Sequence, residues 1–517
     1  MGKETDGSFN SKVSYNLIWN IIRSVTMALV GLLMVPYYID EFGIAVYGIL
    51  PLATSITSYV MVASDSLASS FTKYLIIAIK SGDERKMNTT YSSSIIWMFK
   101  TVLKIAPIAI LISIVSPYIF QIGEAQAIDV QLMFVMIFIS ALMISFITCL
   151  DSVYHAHNML YRLYFIKTTY VILQVVLIVV FFIAFGSSLV LVGLSYVLSA
   201  GVYLIMMYIG AKRIAPMLRL SKADYDPVLL REMSAIGLWA VMTKIGAMMF
   251  IQASLILVNL FLGPAYESEF AIVANIVSIT NTACLTFSQV SEPLIYKTHA
   301  DGDMDRLDTT LSIFTKFVGL ATVYPIVFIF TFISQLLVLW IGSEYTYIVD
   351  MTKIMLPANI SVCVMSCMVF IPMIYNKIKE VAIVTCVLGA ANIGLGCLFL
   401  WIMDDPMGAC IPWSITTFAL NGIFMPLFVA KIMSKNLLTF VKPIVICYAM
   451  FAVLALGGYL LGTVWTMPTS WLWFILTAGV TYLIYIAVIY AFFLNRKEKD
   501  ALITYLPEKL QSILSRN

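Results

Sequence analysis

Long apolar runs alternate with short polar connections along almost the whole chain. A helix that crosses a bilayer needs about 20 mainly apolar residues. Runs of that kind fall near 15–38, 46–79, 89–118, 129–152, 162–184, 187–211, 232–262, 268–296, 309–341, 348–375, 380–402, 407–432, 439–463 and 469–494. Two uncharged stretches are too long for one helix each. Thr168–Ala211 breaks at Gly186-Ser187-Ser188, and Pro443–Asn495 breaks near Met467-Pro468-Thr469. The pattern predicts an all-α polytopic membrane protein with about fourteen transmembrane helices.

Composition agrees with a bilayer as the solvent. Hydrophobic residues make up 61% and charged residues 11%, against about 25% charged in soluble domains. The net charge of +3 leaves no electrostatic footprint for nucleic acid. The eight cysteines are scattered through apolar runs without a CxxC pair, which suits small helix-facing residues better than a metal site. Cys363 and Cys367 share a helix face but lack further ligands nearby. The polar start, Met1–Asn10, has no signal-peptide pattern, so the first helix is expected to be retained.

Charge then orients the helices. One series of connections is basic: Lys80, Arg85 and Lys86; Arg162 and Lys167; Lys212, Arg213 and Arg219; Lys297 and Arg306; Lys377 and Lys379; Lys431 and Lys435; Arg496, Lys497 and Lys499. The alternate series is acidic: Asp40 and Glu41; Glu124 and Asp129; Glu267 and Glu269; Glu344 and Asp350; Asp404 and Asp405. Only Lys353 interrupts the separation. Basic connections stay inside, so both termini are expected in the cytoplasm and the protein in the inner (cytoplasmic) membrane.

A self-match at a constant offset runs through the first two-thirds. Trp19 aligns with Trp239, Gly43 with Gly263, Gly82-Asp83 with Gly302-Asp303, and Thr89-Thr90 with Thr309-Thr310. An even number of helices separates the copies, which makes this a parallel repeat. The expected division is an N-lobe at 1–213 (helices 1–6), a cytoplasmic linker at 214–231, and a C-lobe at 232–434 (helices 7–12). Helices 13 and 14 follow at 435–495, and a cytoplasmic tail at 496–517. The architecture is thus two pseudo-symmetric six-helix lobes plus two C-terminal helices.

The opening residues carry a resemblance. Asn16-Leu17-Ile18-Trp19-Asn20, Pro36-Tyr37-Tyr38, Phe42-Gly43, Tyr47-Gly48, Asp65 and Ser81-Gly82-Asp83 together resemble the polysaccharide transporter family. That family comprises the Wzx-like O-antigen and teichoic-acid flippases of the multidrug/oligosaccharidyl-lipid/polysaccharide exporter superfamily. The resemblance is strongest over the first 90 residues and extends to the rest in helix count. It implies a flippase that turns a polyprenyl-diphosphate-linked oligosaccharide from the cytoplasmic to the outer leaflet by alternating access through a cationic inter-lobe cavity. Its partners would be the lipid-linked glycan, membrane lipids and a glycan polymerase or ligase.

Charges inside spans are costly and mark cavities or ion pairs. Arg23 lies about eight residues, or roughly 12 Å, into the first helix, and Lys244 sits at similar depth in the seventh. Arg23 aligns with Thr243, so Lys244 is one place out of register, a turn of about 100°. A planar guanidinium and a mobile ammonium could together hold a diphosphate; a structural ion pair is the alternative. Lys100 and Lys104 share one face of the third helix. They either line the cavity or snorkel to the cytoplasm, as Lys73 and Lys316 are expected to do. The acids Asp65 and Glu292 either compensate these cations or bind a coupling proton or sodium ion. No other cofactor is expected. His155 and His157 read as polar residues at the inner end of the fourth helix. Tyr37, Tyr38, Trp340, Trp401, Trp471 and Trp473 read as interfacial anchors.

The chain has no P-loop, HExxH or nucleophile elbow, and its connections are too short for a catalytic domain, so no enzyme is expected. An intramembrane glycosyltransferase would need a large outer loop bearing carboxylates. The remaining alternative is an ion-coupled multidrug exporter of the same superfamily, whose cavity would be more acidic and aromatic.

Overall fold

The structure, a computed structural model, describes residues 6–464, 469–493 and 499. Side chains at 6–14, 17, 60, 63–70, 80, 234–238, 240, 346–347, 461–464 and scattered positions from 283 to 305 lie outside the described set. Among the described residues all regular structure is helical. The helices are α1 (Asp6–Phe42), α2 (Ile49–Ser81), α3 (Glu84–Ile119), α4 (Ala127–Ala156), α5 (Leu160–Phe185), α6 (Leu189–Ile214) and α7 (Pro227–Met248, resumed at Ile251–Leu262). They continue with α8 (Pro264–Ala300), α9 (Met304–Trp340), α10 (Val349–Met365, then Phe370–Ile374) and α11 (Ile378–Met403). Last come α12 (Met407–Phe418, a wider turn over Ala419–Phe424, then Met425–Met433), α13 (Leu437–Val464) and α14 (Trp471–Val488). Among the described residues eleven helices are long and apolar enough to cross a membrane. With α2, α8 and α10 there are fourteen segments, each on a run expected from hydropathy.

The repeated glycines have a backbone meaning. Gly82 and Gly302 end α2 and α8 at φ +69° and +73°, a left-handed conformation that other residues enter at a cost. The aspartate that follows caps the next helix. Asp83 accepts from the backbone N–H of Arg85 and Lys86, and Asp303 from that of Arg306. Gly43 and Gly263 also share positive φ, at +77° and +98°. The offset match is therefore a match of helix ends, where one residue type is dictated by dihedral angles.

Contacts gather the chain into two compact units, Met1–Asn275 with Lys377–Thr416, and Ile276–Asn376 with Thr417–Asn517. In the first, α4 packs along α6 and α2, α1 along α5, and α7 against both α2 and α11. In the second, α9 packs against α10 and α13, and α14 joins α9. In the first unit α7 and α11 group with the first six helices. Leu33, Ile183, Phe185 and Leu483 stand exposed, which lipid tolerates and water penalises.

Two devices position the later site. The first is the crossing of α7 and α11. A methyl group at Gly246 would lie 2.8 Å from the Cys386 backbone nitrogen, and one at Gly389 would lie 2.9 Å from the Gly246 carbonyl. Small residues let the backbones touch, as in membrane helix pairs generally. Just beyond, α7 breaks at Met249-Phe250, and the buried Asn392 amide donates to the carbonyls of Met249 (3.0 Å) and Phe250 (3.1 Å). Those carbonyls have no water to turn to, so a side chain must satisfy them. The second device is the linker, which folds onto α3. Ser92 donates to the Arg219 carbonyl, Ser93 accepts from the Asp226 N–H, and Asn88 accepts from the Arg219 N–H.

Candidate functional site

One face of α4 carries Ile144, Ile147, Thr148, Asp151 and His155, spaced three and four residues apart, which is the helical repeat. A buried cluster that includes Leu150, Val153, Tyr154, Leu163 and Ile166 holds α4, α5 and α6 together at the level of this face. The packing leaves a cavity of about 590 Å³ beside it. Met61 and Thr72 of α2, Lys167 of α5, Tyr203 of α6 and Lys244 of α7 complete the wall. Its members come from five helices of the first compact unit.

The wall is built from ordered polar groups. Lys167 Nζ donates to Asp151 Oδ2 at 2.7 Å, and the two side chains are 30% and 17% exposed, so the pair is partly shielded. Thr72 donates to Ser152 Oγ at 2.9 Å and ties α2 to α4 beside the pair. The Tyr203 ring stacks on Tyr170 with centroids 4.9 Å apart. Lys244 joins the wall from α7, two residues before Gly246 of the glycine crossing. The arrangement offers two ammonium groups, one carboxylate, several hydroxyls and an apolar flank, which is a set for a polar anionic headgroup rather than for bond cleavage.

No family model matches the chain. It is 21% identical over 448 residues to the uncharacterized membrane protein EpsK of Bacillus subtilis (strain 168), over 84% of this chain and 86% of that protein. An inward-facing multidrug resistance MATE family transporter of the MOP superfamily superposes with a TM-score of 0.62 at 12% identity, covering 81% of this chain and 99% of the other. The eukaryotic MATE transporter AtDTX14 superposes with a TM-score of 0.62 at 13% identity, covering 86% and 98%. The chain has a MATE-like transporter fold. At these identities it is the path of the helices that is shared.

Within the MATE-like fold, the residues singled out by sequence go to different places. Lys244 lines the cavity. Arg23 donates through Nη2 to Asn20 Oδ1 at 3.0 Å and lies over the Tyr164 ring at 5.3 Å, with its Nε buried and unbonded. Lys100 lies over the Tyr225 ring of the linker at 4.1 Å, and neither it nor Lys104 lines the cavity. Both are exposed, on a face where Phe99 and Leu103 are exposed too. The side chains of Asp65 and Glu292 lie outside the described residues. Six polar wall residues lie outside the set expected from the sequence: Thr72, Thr148, Asp151, His155, Lys167 and Tyr203. In the sequence Lys167 stands in a basic connection and His155 at the end of an apolar run. The signal that could have found those on α4 is the i, i+3, i+4 line from Ile144 to His155, which carries an acid within an apolar run.

Proposed function

We propose that the protein is a flippase that moves a polyprenyl-diphosphate-linked oligosaccharide from the cytoplasmic to the outer leaflet by alternating access. The observation that carries this reading is the convergence of Lys167 and Lys244, from two helices, on one cavity. Two ammonium groups on flexible stems suit a diphosphate, whose anionic oxygens accept from several sides. Thr72, Thr148 and Tyr203 add hydroxyls suited to the first sugars. A cavity of about 590 Å³ accommodates a headgroup and leaves the polyprenyl tail in the bilayer. The MATE-like fold supports transport as the class of activity, and the opening residues that resemble polysaccharide transporters support a lipid-linked glycan. Energy would come from a proton or sodium gradient, or from a polymerase or ligase that consumes the product outside.

The test is surface glycan export in cells that depend on this protein. Lys167→Gln combined with Lys244→Gln, at wild-type abundance, should lower export at least about tenfold, equivalent to roughly 1.4 kcal/mol. The lipid-linked intermediate should accumulate. Normal export by that variant would falsify the reading. The acid Asp151 and the Tyr203–Tyr170 stack favour the second reading, an exporter of cationic drugs. On that reading the lysine variant leaves the glycan unchanged, and Asp151→Asn instead makes cells drug-sensitive.

A further inference from the structure

The cavity contains an anion of its own. Asp151 is fixed to α4 by a short stem, one turn from Thr148 and one from His155, so its carboxylate has little freedom. Lys167 reaches it from α5 on a long flexible stem. The carboxylate is therefore the anchored member of the pair and the ammonium the mobile one. Both open onto the same space as Lys244. The titratable and charged groups on that wall are Asp151 and His155 from α4, Lys167 from α5, Tyr203 from α6 and Lys244 from α7.

We propose that Asp151 stands in for the substrate's anionic headgroup, holding Lys167 while the cavity is empty and yielding it when a diphosphate enters. This inference rests on the anion-site reading and adds how the site lets go. A partly shielded lysine without a counter-charge is unstable, so the empty cavity needs an internal anion. A diphosphate bears more charge than one carboxylate and spans two lysines at once, so it displaces Asp151 from Lys167. The carboxylate then remains beside the bound anion and repels it. Binding is weaker than two lysines alone would give, and release is correspondingly faster. A carrier benefits from this, because a site that holds its cargo too firmly cannot discharge it.

The experiment measures binding of inorganic pyrophosphate and of farnesyl diphosphate to purified full-length protein in lipid nanodiscs. The expected result is that Asp151→Asn binds both probes about tenfold more tightly than wild type while exporting less glycan in cells. Lys167→Gln should weaken binding, and the double variant Asp151→Asn/Lys167→Gln should lose the gain. If Asp151→Asn does not fold, Asp151→Ser removes the same charge and must give the same tightening. Unchanged or weaker binding by the folded neutral variant overturns the stand-in role, and the anion site survives as long as Lys167→Gln and Lys244→Gln weaken binding. If those lysine variants bind pyrophosphate as wild type does, the anion-site reading itself fails. Farnesyl diphosphate binding more tightly than pyrophosphate identifies a lipid-linked source, and equal binding identifies the phosphates alone as the recognised group; both leave the role of Asp151 to the neutral variant's shift.

Discussion

At the residue scale, Glu267 is the least comfortable side chain among those described. It lies in the first turn of α8, just ahead of the eighth apolar run, is fully buried, and neither carboxyl oxygen has a hydrogen-bond partner. It fills the space beside Gly48, where a methyl group would overlap both Glu267 Oε2 and Ser268 Oγ. Burial pushes its carboxyl well above the usual carboxylate range. The folded protein therefore keeps a proton that the unfolded chain releases above a pH of about 4.3. Stability from this group is fully present below that pH and declines as pH rises toward the raised folded value, by up to about 1.4 kcal/mol per pH unit. Glu267→Gln removes the titration. Thermal unfolding in detergent from pH 5 to 8 should show a falling stability for wild type and a flatter profile for the variant. Parallel profiles would count against a neutral Glu267.

At the element scale, the break in α7 lies five residues beyond Lys244. Asn392 of α11 closes it by donating to the Met249 and Phe250 carbonyls and to Ser254 Oγ at 3.1 Å. Its own Oδ1 accepts from Thr416 at 3.4 Å. Asn392→Ala leaves carbonyls buried and unpaired, at roughly 1–3 kcal/mol. The expected outcome is a lower melting temperature together with weaker pyrophosphate binding, since Lys244 sits on the same helix two residues before Gly246 of the crossing. A drop in melting temperature with unchanged binding would show that the break does not position Lys244. The second unit is held by hydroxyls in a similar way. Tyr485 donates to the Leu320 carbonyl at 2.8 Å and Tyr482 to that of Ala321 at 3.3 Å, joining α14 to α9.

At the scale of the whole molecule, the alternation of basic and acidic connections has a direct consequence for topology. Glu124 lies in an acidic connection and Lys377 in a basic one. Glu124→Cys should react with a membrane-impermeant maleimide in intact cells, and Lys377→Cys only after the cells are opened. The reverse labelling would invert the proposed direction of transport. The fourteen helices, the glycine-capped ends and the two compact units hold whichever way the chain is inserted, because they depend on hydropathy and backbone geometry and not on the sign of the membrane's sides.

Hydropathy determined the number and order of the helices, since bilayer thickness sets run length, while ends such as those of α1 (Asp6–Phe42) and α8 (Pro264–Ala300) lie beyond the apolar runs. The Gly-Asp pairs at 82–83 and 302–303 were legible for a local reason, since glycine is needed at positive φ. The site was only partly legible. Lys244 was visible as a deep charge, but Lys167 looked like a residue of a basic connection until α5 was docked against α4. For Lys100 the sequence left lining the cavity and snorkelling both open, and in the structure it lies over the Tyr225 ring of the linker. A single step along a helix turns a side chain by about 100°, so depth can be read along one chain segment. Which charges face each other depends on the rotation and packing of helices far apart in sequence. Asp151 and Lys167 on adjacent helices, and Lys244 on a third, became one cavity only in the tertiary structure.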